Sequence, residues 1–228
     1  MNPHAWLSAL SGSFLVFDGP DGSGKSTQIR RFVAAARLAD VHVLEVREPG
    51  GTAIGERIRD VLLDPEHSEM SLRCEMMLYM ASRAQLIEEH IRPALSRGDM
   101  VLADRFISST LAYQGAAGGL PLDEIDAVGR VALGDVVPDI TILFDVDEQT
   151  AGARLNPLLD RMEAKGVAFH RKVREGFLRQ AREEPDRHLV IDASQDEDAV
   201  FAQLMIALQQ RLTQTAGAAR QLPRTAAR

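Results

Sequence analysis

Phe14-Leu15-Val16-Phe17-Asp18-Gly19-Pro20-Asp21-Gly22-Ser23-Gly24-Lys25-Ser26-Thr27 sets a short apolar run against a glycine-rich turn that opens into a helix-forming stretch. Phe14 to Asp18 reads as a strand broken by Gly19, and a helix is expected from about Lys25 to Leu38. Gly19 to Ser26 matches G-x-x-x-x-G-K-[ST] in full, in the strand–turn–helix context that makes this pattern a phosphate cradle. Its glycines let backbone N–H groups turn inward around phosphate oxygens, and the helix start adds the positive end of its dipole. Lys25 is suited to bridge β- and γ-phosphates, and the Ser26 hydroxyl to help hold Mg²⁺. Gly19, Pro20, Asp21, Gly22, Ser23, Gly24, Lys25, Ser26 and Thr27 are therefore the expected contacts to a nucleoside triphosphate.

Working outward, further strands are expected at Val41 to Val46, Met100 to Asp104, Ile140 to Asp145 and His188 to Asp192. Helices are expected at Thr52 to Leu63, from Ser71 onward with an interruption at Pro93, through Tyr113, at Leu122 to Leu133, and from Asp196 to about Leu212. Strands separated by helices require crossover connections. The fold expected is α/β, a P-loop-type parallel sheet of about five strands with helices on both faces and a small mobile lid. In such sheets ligands gather beyond the carboxyl ends of the strands. The polar stretches Gly19–Thr27, Arg47–Thr52, Asp104–Thr110 and Asp192–Gln195 all follow expected strands, so they point to one shared site.

The bulk properties agree with one domain. The chain has 228 residues and a formal net charge of −7, which speaks against a general nucleic-acid coat but not against binding a small anion. No stretch approaches the roughly 20 apolar residues that cross a bilayer, and residues 1–12 do not read as a secretory signal. Cys74 is the single cysteine, which excludes an intrachain disulfide and is compatible with a reducing cytoplasm. The domain is expected over residues 13–213, with a lid at about 154–166 and loose termini at 1–12 and 217–228.

Three more stretches narrow the chemistry. Arg47-Glu48-Pro49-Gly50-Gly51-Thr52, Asp104-Arg105-Phe106 leading into Ser109-Thr110-Leu111-Ala112-Tyr113-Gln114-Gly115, and Asp160-Arg161-Met162-Glu163 stand in the order and spacing of the thymidylate kinase family. The chain resembles the bacterial type of that family from about Phe14 to Leu212. The resemblance implies transfer of a phosphoryl group from ATP to dTMP, with Mg²⁺, in a cytoplasmic homodimer that has no nucleic-acid or membrane partner.

Joining two polyanions requires fixed cations for the acceptor, and Arg47 and Arg105, just beyond strand ends, suit a bidentate grip on its phosphate. A carboxylate inside a phosphate loop, Asp21, works against its local interest and so suits orienting an acceptor arginine or a metal-bound water. Asp104 ends an apolar strand, the position of a carboxylate near Mg²⁺; as a plain helix N-cap it would need no ligand. Tyr79 and Arg83 share one helix face. The resemblance implies that Tyr79 stacks on thymine and that Arg83 hydrogen-bonds it, while a core tyrosine with a neighbouring arginine is the bland reading. The resemblance further implies that Tyr113 crowds a 2′-hydroxyl. Ser108, Thr110 and Gln114 become candidates near base or sugar, and Glu48 joins the acceptor segment. Gly22 stands where the eukaryotic type of the family carries an arginine, so the missing cation is expected from the lid, with Arg161 as the choice. Asp21, Lys25, Arg105 and Arg161 are the catalytic candidates. Two other readings remain open at this point, a kinase for another deoxypyrimidine monophosphate and a non-catalytic ATP-binding regulator.

Overall fold

The computed structural model describes residues 3–154 and 160–221. Its centre is a parallel sheet of β1 (Phe14–Asp18), β2 (Val43–Arg47), β3 (Met100–Asp104), β4 (Ile140–Asp145) and β5 (His188–Asp192), in the order β2-β3-β1-β4-β5. The register pairs Phe17 with Asp104, and Arg47 with Asp104, so the carboxyl ends of β1, β2 and β3 finish close to level, while β4 runs past Leu143, the partner of Asp18, to Asp145. That edge carries the candidate residues. The α/β parallel sheet of five strands read from the sequence is the fold found.

Every residue of β1 is buried, as a central strand covered on both faces must be. Alternate residues point to opposite faces. Leu15 and Phe17 join Phe32 and Val33 of α1 (Lys25–Leu38) and Leu204 and Leu208 of α9 (Glu197–Gln221). Phe14 and Val16 face Leu86, Ile87 and Ile91 on the other side. Each such side chain contributes roughly 1.5–3 kcal/mol through burial.

Between β2 and β3 run α2 (Ala53–Leu63), α3 (Leu72–Leu86), a π-helical turn at Ile87–Ile91 and α4 (Arg92–Arg97). Thr52 and Ser71 cap α2 and α3 by accepting from the main-chain N–H of Gly55 and Cys74. The interruption expected at Pro93 is a widened turn just before it rather than a break. The turn absorbs the missing donor and the crowding ring while the helical path continues. After β3 come α5 (Ile107–Thr110), a second π-helical segment at Leu111–Ala117, and α6 (Leu122–Leu133); α7 (Glu148–Arg154) and α8 (Val167–Glu183) link β4 to β5.

Two expectations about the termini change. Residues 1–12 were expected to be loose, but Ala5–Leu10 forms a 3₁₀-helix whose Leu7 and Leu10 are fully buried in the α1–α9 core. The closing helix, expected to end near Leu212, continues to Gln221; the rest of the expected loose tail, 222–228, lies outside the described residues. So does 155–159 of the expected lid.

Candidate active site

The loop after β1 turns back on itself before α1. Gly22 has φ +77°, and a Cβ there would stand 2.3 Å from the carbonyl oxygen of Ala151 in α7. A side chain at this position is excluded both by conformation and by space, which gives a structural reason for the absence of a loop arginine. Lys25 lies along the inside of the loop, its Nζ donating to the carbonyls of Gly19 (3.2 Å) and Pro20 (3.3 Å). Burial lowers its pKa, and the nearby Arg105 adds to this against the carboxylates of Asp104, Asp21 and Asp18. Ser26 is exposed at the start of α1. The Thr27 hydroxyl accepts from Arg30 Nη2.

Arg105 is the hub. It leaves β3 with φ +70°, a left-handed conformation that a residue of this size adopts only when its surroundings dictate it. Those surroundings are polar. Its Nη1 donates to Asp18 Oδ1, the Gly19 carbonyl and Ser109 Oγ at 3.0–3.2 Å, and its Nη2 pairs with Asp21 and reaches the Tyr113 hydroxyl. Tyr113 donates in turn to Asp21 Oδ2 at 2.6 Å. Burial pushes the Asp21 pKa up, but Arg105, Lys25 and the Tyr113 hydroxyl outweigh it and bring the value down to about 2. Burial raises the Tyr113 pKa well above the usual tyrosine range, so the phenol stays a neutral donor. Asp18, fully buried, accepts from Ser108 Oγ (2.6 Å) and Ser109 Oγ (2.7 Å).

Beyond this hub opens a cavity of about 310 Å³. Asp21, Ser26, Arg47, Asp104 and Arg105 line it, together with Glu48, Tyr79, Thr110, Tyr113 and Gln114. Its size and its few convergent polar groups suit a small ligand of nucleotide dimensions. Ser26 and Asp104, a hydroxyl and a carboxylate, both line the cavity. This donor set fits a hard divalent cation that draws its remaining ligands from phosphates and water, and such sites do not require a cage of protein carboxylates.

Two of the expected contacts stand back from the cavity. Arg83 is 1% exposed and lies behind Glu48 and Thr110. Its Nε and Nη2 both donate to Glu48 Oε2 (2.8 and 2.6 Å), and its Nη1 donates to Thr110 Oγ1 (3.2 Å). Because both contacts use Oε2, the buried Oε1 of Glu48 has no protein partner. Burial raises the Glu48 pKa to about 7 against the pull of Arg83. Ser108 is spent on Asp18 and also stands outside the wall. Arg47 lines the cavity but is exposed, its Nη2 held by Glu56 Oε2 at 2.8 Å; it is the last residue of β2 rather than a residue beyond the strand.

The largest correction concerns Arg161. Expected over the transferring phosphoryl group, it is engaged instead with α2 and α3, its Nε on the Leu62 carbonyl (2.7 Å) and its Nη1 on Glu75 Oε2 (2.6 Å). The buried carboxylate of Glu75 offers a protein partner to an arginine whose side chain is 9% exposed. Its neighbours Asp160, Met162 and Glu163 line the cavity.

Four further residues belong to the site. Asp18 carried a readable signal, a carboxylate closing an apolar strand as Asp104 does. Ser109 accepts from Arg105 and donates to Asp18, and a serine in the stretch after Asp104 carries no pattern that marks it. Arg59, which lines the cavity and donates to the Pro49 carbonyl (2.9 Å), and Glu75 are ordinary charges on amphipathic helices, and no local pattern marks them.

Comparison with known proteins agrees with this geometry. The family model described as "Thymidylate kinase" matches residues 17–204. Relatives bearing that name include one from Exiguobacterium, 44% identical over 207 residues (90% of this chain, 98% of the relative), and one from Deinococcus radiodurans, 45% identical over 204 residues (88% and 98%). The crystal structure of thymidylate kinase from Ehrlichia chaffeensis superposes with a TM-score of 0.71 at 31% identity, covering 87% of this chain and 99% of that one. The match spans the loop, the Arg105 hub and the cavity together, and this chain belongs to the thymidylate kinase family.

Proposed function

We propose that Arg105 joins the two halves of the site, acting on the phosphate of an acceptor nucleotide while Asp21 of the donor loop fixes its orientation. Thymidylate kinases use ATP as phosphoryl donor and give ADP and dTDP from dTMP, and this chain carries out that reaction. The observation that carries the residue assignment is the pairing of Arg105 with Asp21 and Tyr113 in the lining of the cavity.

Main-chain N–H groups of the loop between Asp21 and Ser26, together with Lys25, hold the β- and γ-phosphates of ATP. Arg105 and Arg47 hold the acceptor phosphate in line. An oxygen of that phosphate forms the new bond to the γ-phosphorus as the bond from this phosphorus to the β–γ bridging oxygen breaks, and the leaving oxygen stays on ADP. Catalysis of this kind is positioning plus charge stabilisation. Ser26 and Asp104 would hold Mg²⁺, which would supply positive charge to offset the negative charge developing on the phosphates. Tyr79 forms the flat wall for thymine, Thr110 and Gln114 its polar edge, and Tyr113 the surface against the deoxyribose. Arg83 acts by fixing Glu48 and Thr110.

The expected homodimer is supported by exposed apolar side chains on two long helices, Met77 of α3 (59% exposed) and Val131 of α6 (86% exposed). Among the described residues no helix is long and apolar enough to cross a membrane. The reading assigns the enzyme to the cytoplasm, where its nucleotide substrates are available.

The test is ADP release from MgATP with dTMP, dUMP, UMP, dCMP, CMP and AMP in turn. Strong preference for dTMP is expected. Preference for another monophosphate overturns the roles of Tyr79, Tyr113 and Gln114, and absence of acceptor-dependent turnover overturns the kinase reading.

A further inference from the structure

Glu75, on the first turn of α3, is a carboxylate with 1% of its side chain exposed, and no step described so far uses it. It is held from two directions. Gln114, which lines the acceptor cavity, donates to Oε1 at 2.7 Å; Arg161 donates to Oε2 at 2.6 Å, and Lys165 Nζ lies 3.2–3.3 Å from both oxygens. The segment bearing those two cations is also pinned to α2, by Arg161 Nε on the Leu62 carbonyl and by the Arg161 main-chain N–H on the Leu63 carbonyl (3.3 Å). Between and beside the cations, Asp160, Met162 and Glu163 form part of the cavity wall. Met162 is buried against Tyr113, Val173 and Phe177.

We infer that Glu75 is a positioning residue for the acceptor nucleotide, a docking post that draws residues 160–165 against α3 and so completes the wall of the acceptor cavity while orienting Gln114. The inference rests on the dTMP kinase reading above. A buried carboxylate stripped of one cation keeps its desolvation cost, so the post and the segment that docks on it hold one another in place. Because Gln114 shares Glu75 with the docked segment, filling the cavity and docking the segment favour one another. Arg161 thus serves dTMP binding before it serves turnover.

The experiment measures KM for dTMP, KM for ATP and kcat in the wild type, Glu75→Gln, Arg161→Gln and the double variant, together with limited trypsin cleavage after Arg161 and Lys165 with and without dTMP. Glu75→Gln keeps the shape and the contact to Gln114 while removing the charge. Each single variant is expected to raise KM for dTMP about tenfold or more with KM for ATP within about twofold, and the double variant to be no worse than the singles, the mark of one shared interaction. Protection of the segment by dTMP is expected in the wild type and lost in Glu75→Gln. KM values within twofold of wild type in Glu75→Gln, or losses that multiply in the double variant, overturn the inference. So does a rise in kcat in Glu75→Gln, which would mean that the post withholds Arg161 from the phosphates. Should Glu75→Gln fail to fold, Arg161→Gln and Lys165→Gln on the docked segment carry the same test. A wild type with no dTMP-dependent turnover would remove the reading beneath the inference, an outcome distinct from an active wild type insensitive to Glu75.

Discussion

The donor half of the site is built mostly from main chain out of one continuous stretch, residues 19–27, whereas the acceptor half is built from side chains that meet across the fold. Lys25 reaches only to Gly19 and Pro20. On the acceptor side Arg83 pairs with Glu48 across 35 residues, Gln114 with Glu75 across 39, and Arg161 with Glu75 across 86. A main-chain cradle tolerates variation in many of its side chains but depends on backbone conformation. A wall of paired side chains depends on each partner. Triphosphate recognition can therefore be general while monophosphate recognition is particular.

Arg105 belongs to both halves, so its loss should be the most severe. Arg105→Ala is expected to lower kcat/KM for dTMP by about 10³-fold, comparable to losing a cation from a phosphoryl-transfer site, with ATP affinity changed only a few-fold. Arg105→Lys should recover little, because a point charge cannot serve Asp18, Asp21 and an acceptor phosphate together. Steady-state kinetics with an ATP titration decide this. A loss below tenfold would mean that the halves act without a shared hub.

The same contrast explains what could be read from the sequence. The donor loop, β1 and the parallel order of strand and helix were legible because each depends on local pattern, glycine spacing or apolar runs. Arg105, Tyr113 and Gln114 were legible as types in a spaced stretch. Glu75 and Arg59 were not, since a carboxylate or guanidinium on a helix face acquires its role only from what packs against it. Arg161 shows the limit from the other side: its residue type suited a phosphoryl contact, yet a buried carboxylate 86 positions away claims it. The π-helical segment at Leu111–Ala117, which carries Tyr113 and Gln114, was also beyond local pattern. The close approach of α8 there depends on Gly176, where a Cβ would lie 2.6 Å from that of Ala116.

If the donor half is a backbone device, a single methyl should damage it. Gly22→Ala meets both φ +77° and the Ala151 carbonyl at 2.3 Å. Strain of this kind costs about 1–3 kcal/mol. Expressed at the loop, this weakens ATP binding by roughly 10- to 100-fold at about 1.4 kcal/mol per tenfold. Binding of dTMP alone should stay within about threefold. Titration of each nucleotide separately checks this, and an equal loss for both would show that the halves are not separable.

The smallest effect compares two carboxylates, one from each half. Asp21 is surrounded by two cations and a phenol and has its pKa brought to about 2, whereas Glu48 has one arginine against its burial and rises to about 7. For Asp21 the folded value lies below the unfolded one, so its contribution is present at neutral pH and is lost as pH falls below about 4 toward 2. Glu48 has the opposite sign. Its folded value lies above the ordinary 4.5, so the folded protein holds the extra proton, and the associated stability is full below pH 4.5 and gone once pH passes about 7. At about 1.4 kcal/mol per pKa unit the swing is at most about 3.5 kcal/mol. Melting temperatures of the wild type should therefore fall from pH 5 to pH 8 relative to Glu48→Gln, whose side chain cannot titrate but can still accept from Arg83. Asp21 does not titrate in that window, so the difference between the two curves isolates Glu48. Parallel curves would mean that Arg83 holds Glu48 ionised throughout, and the two halves would then treat their carboxylates alike.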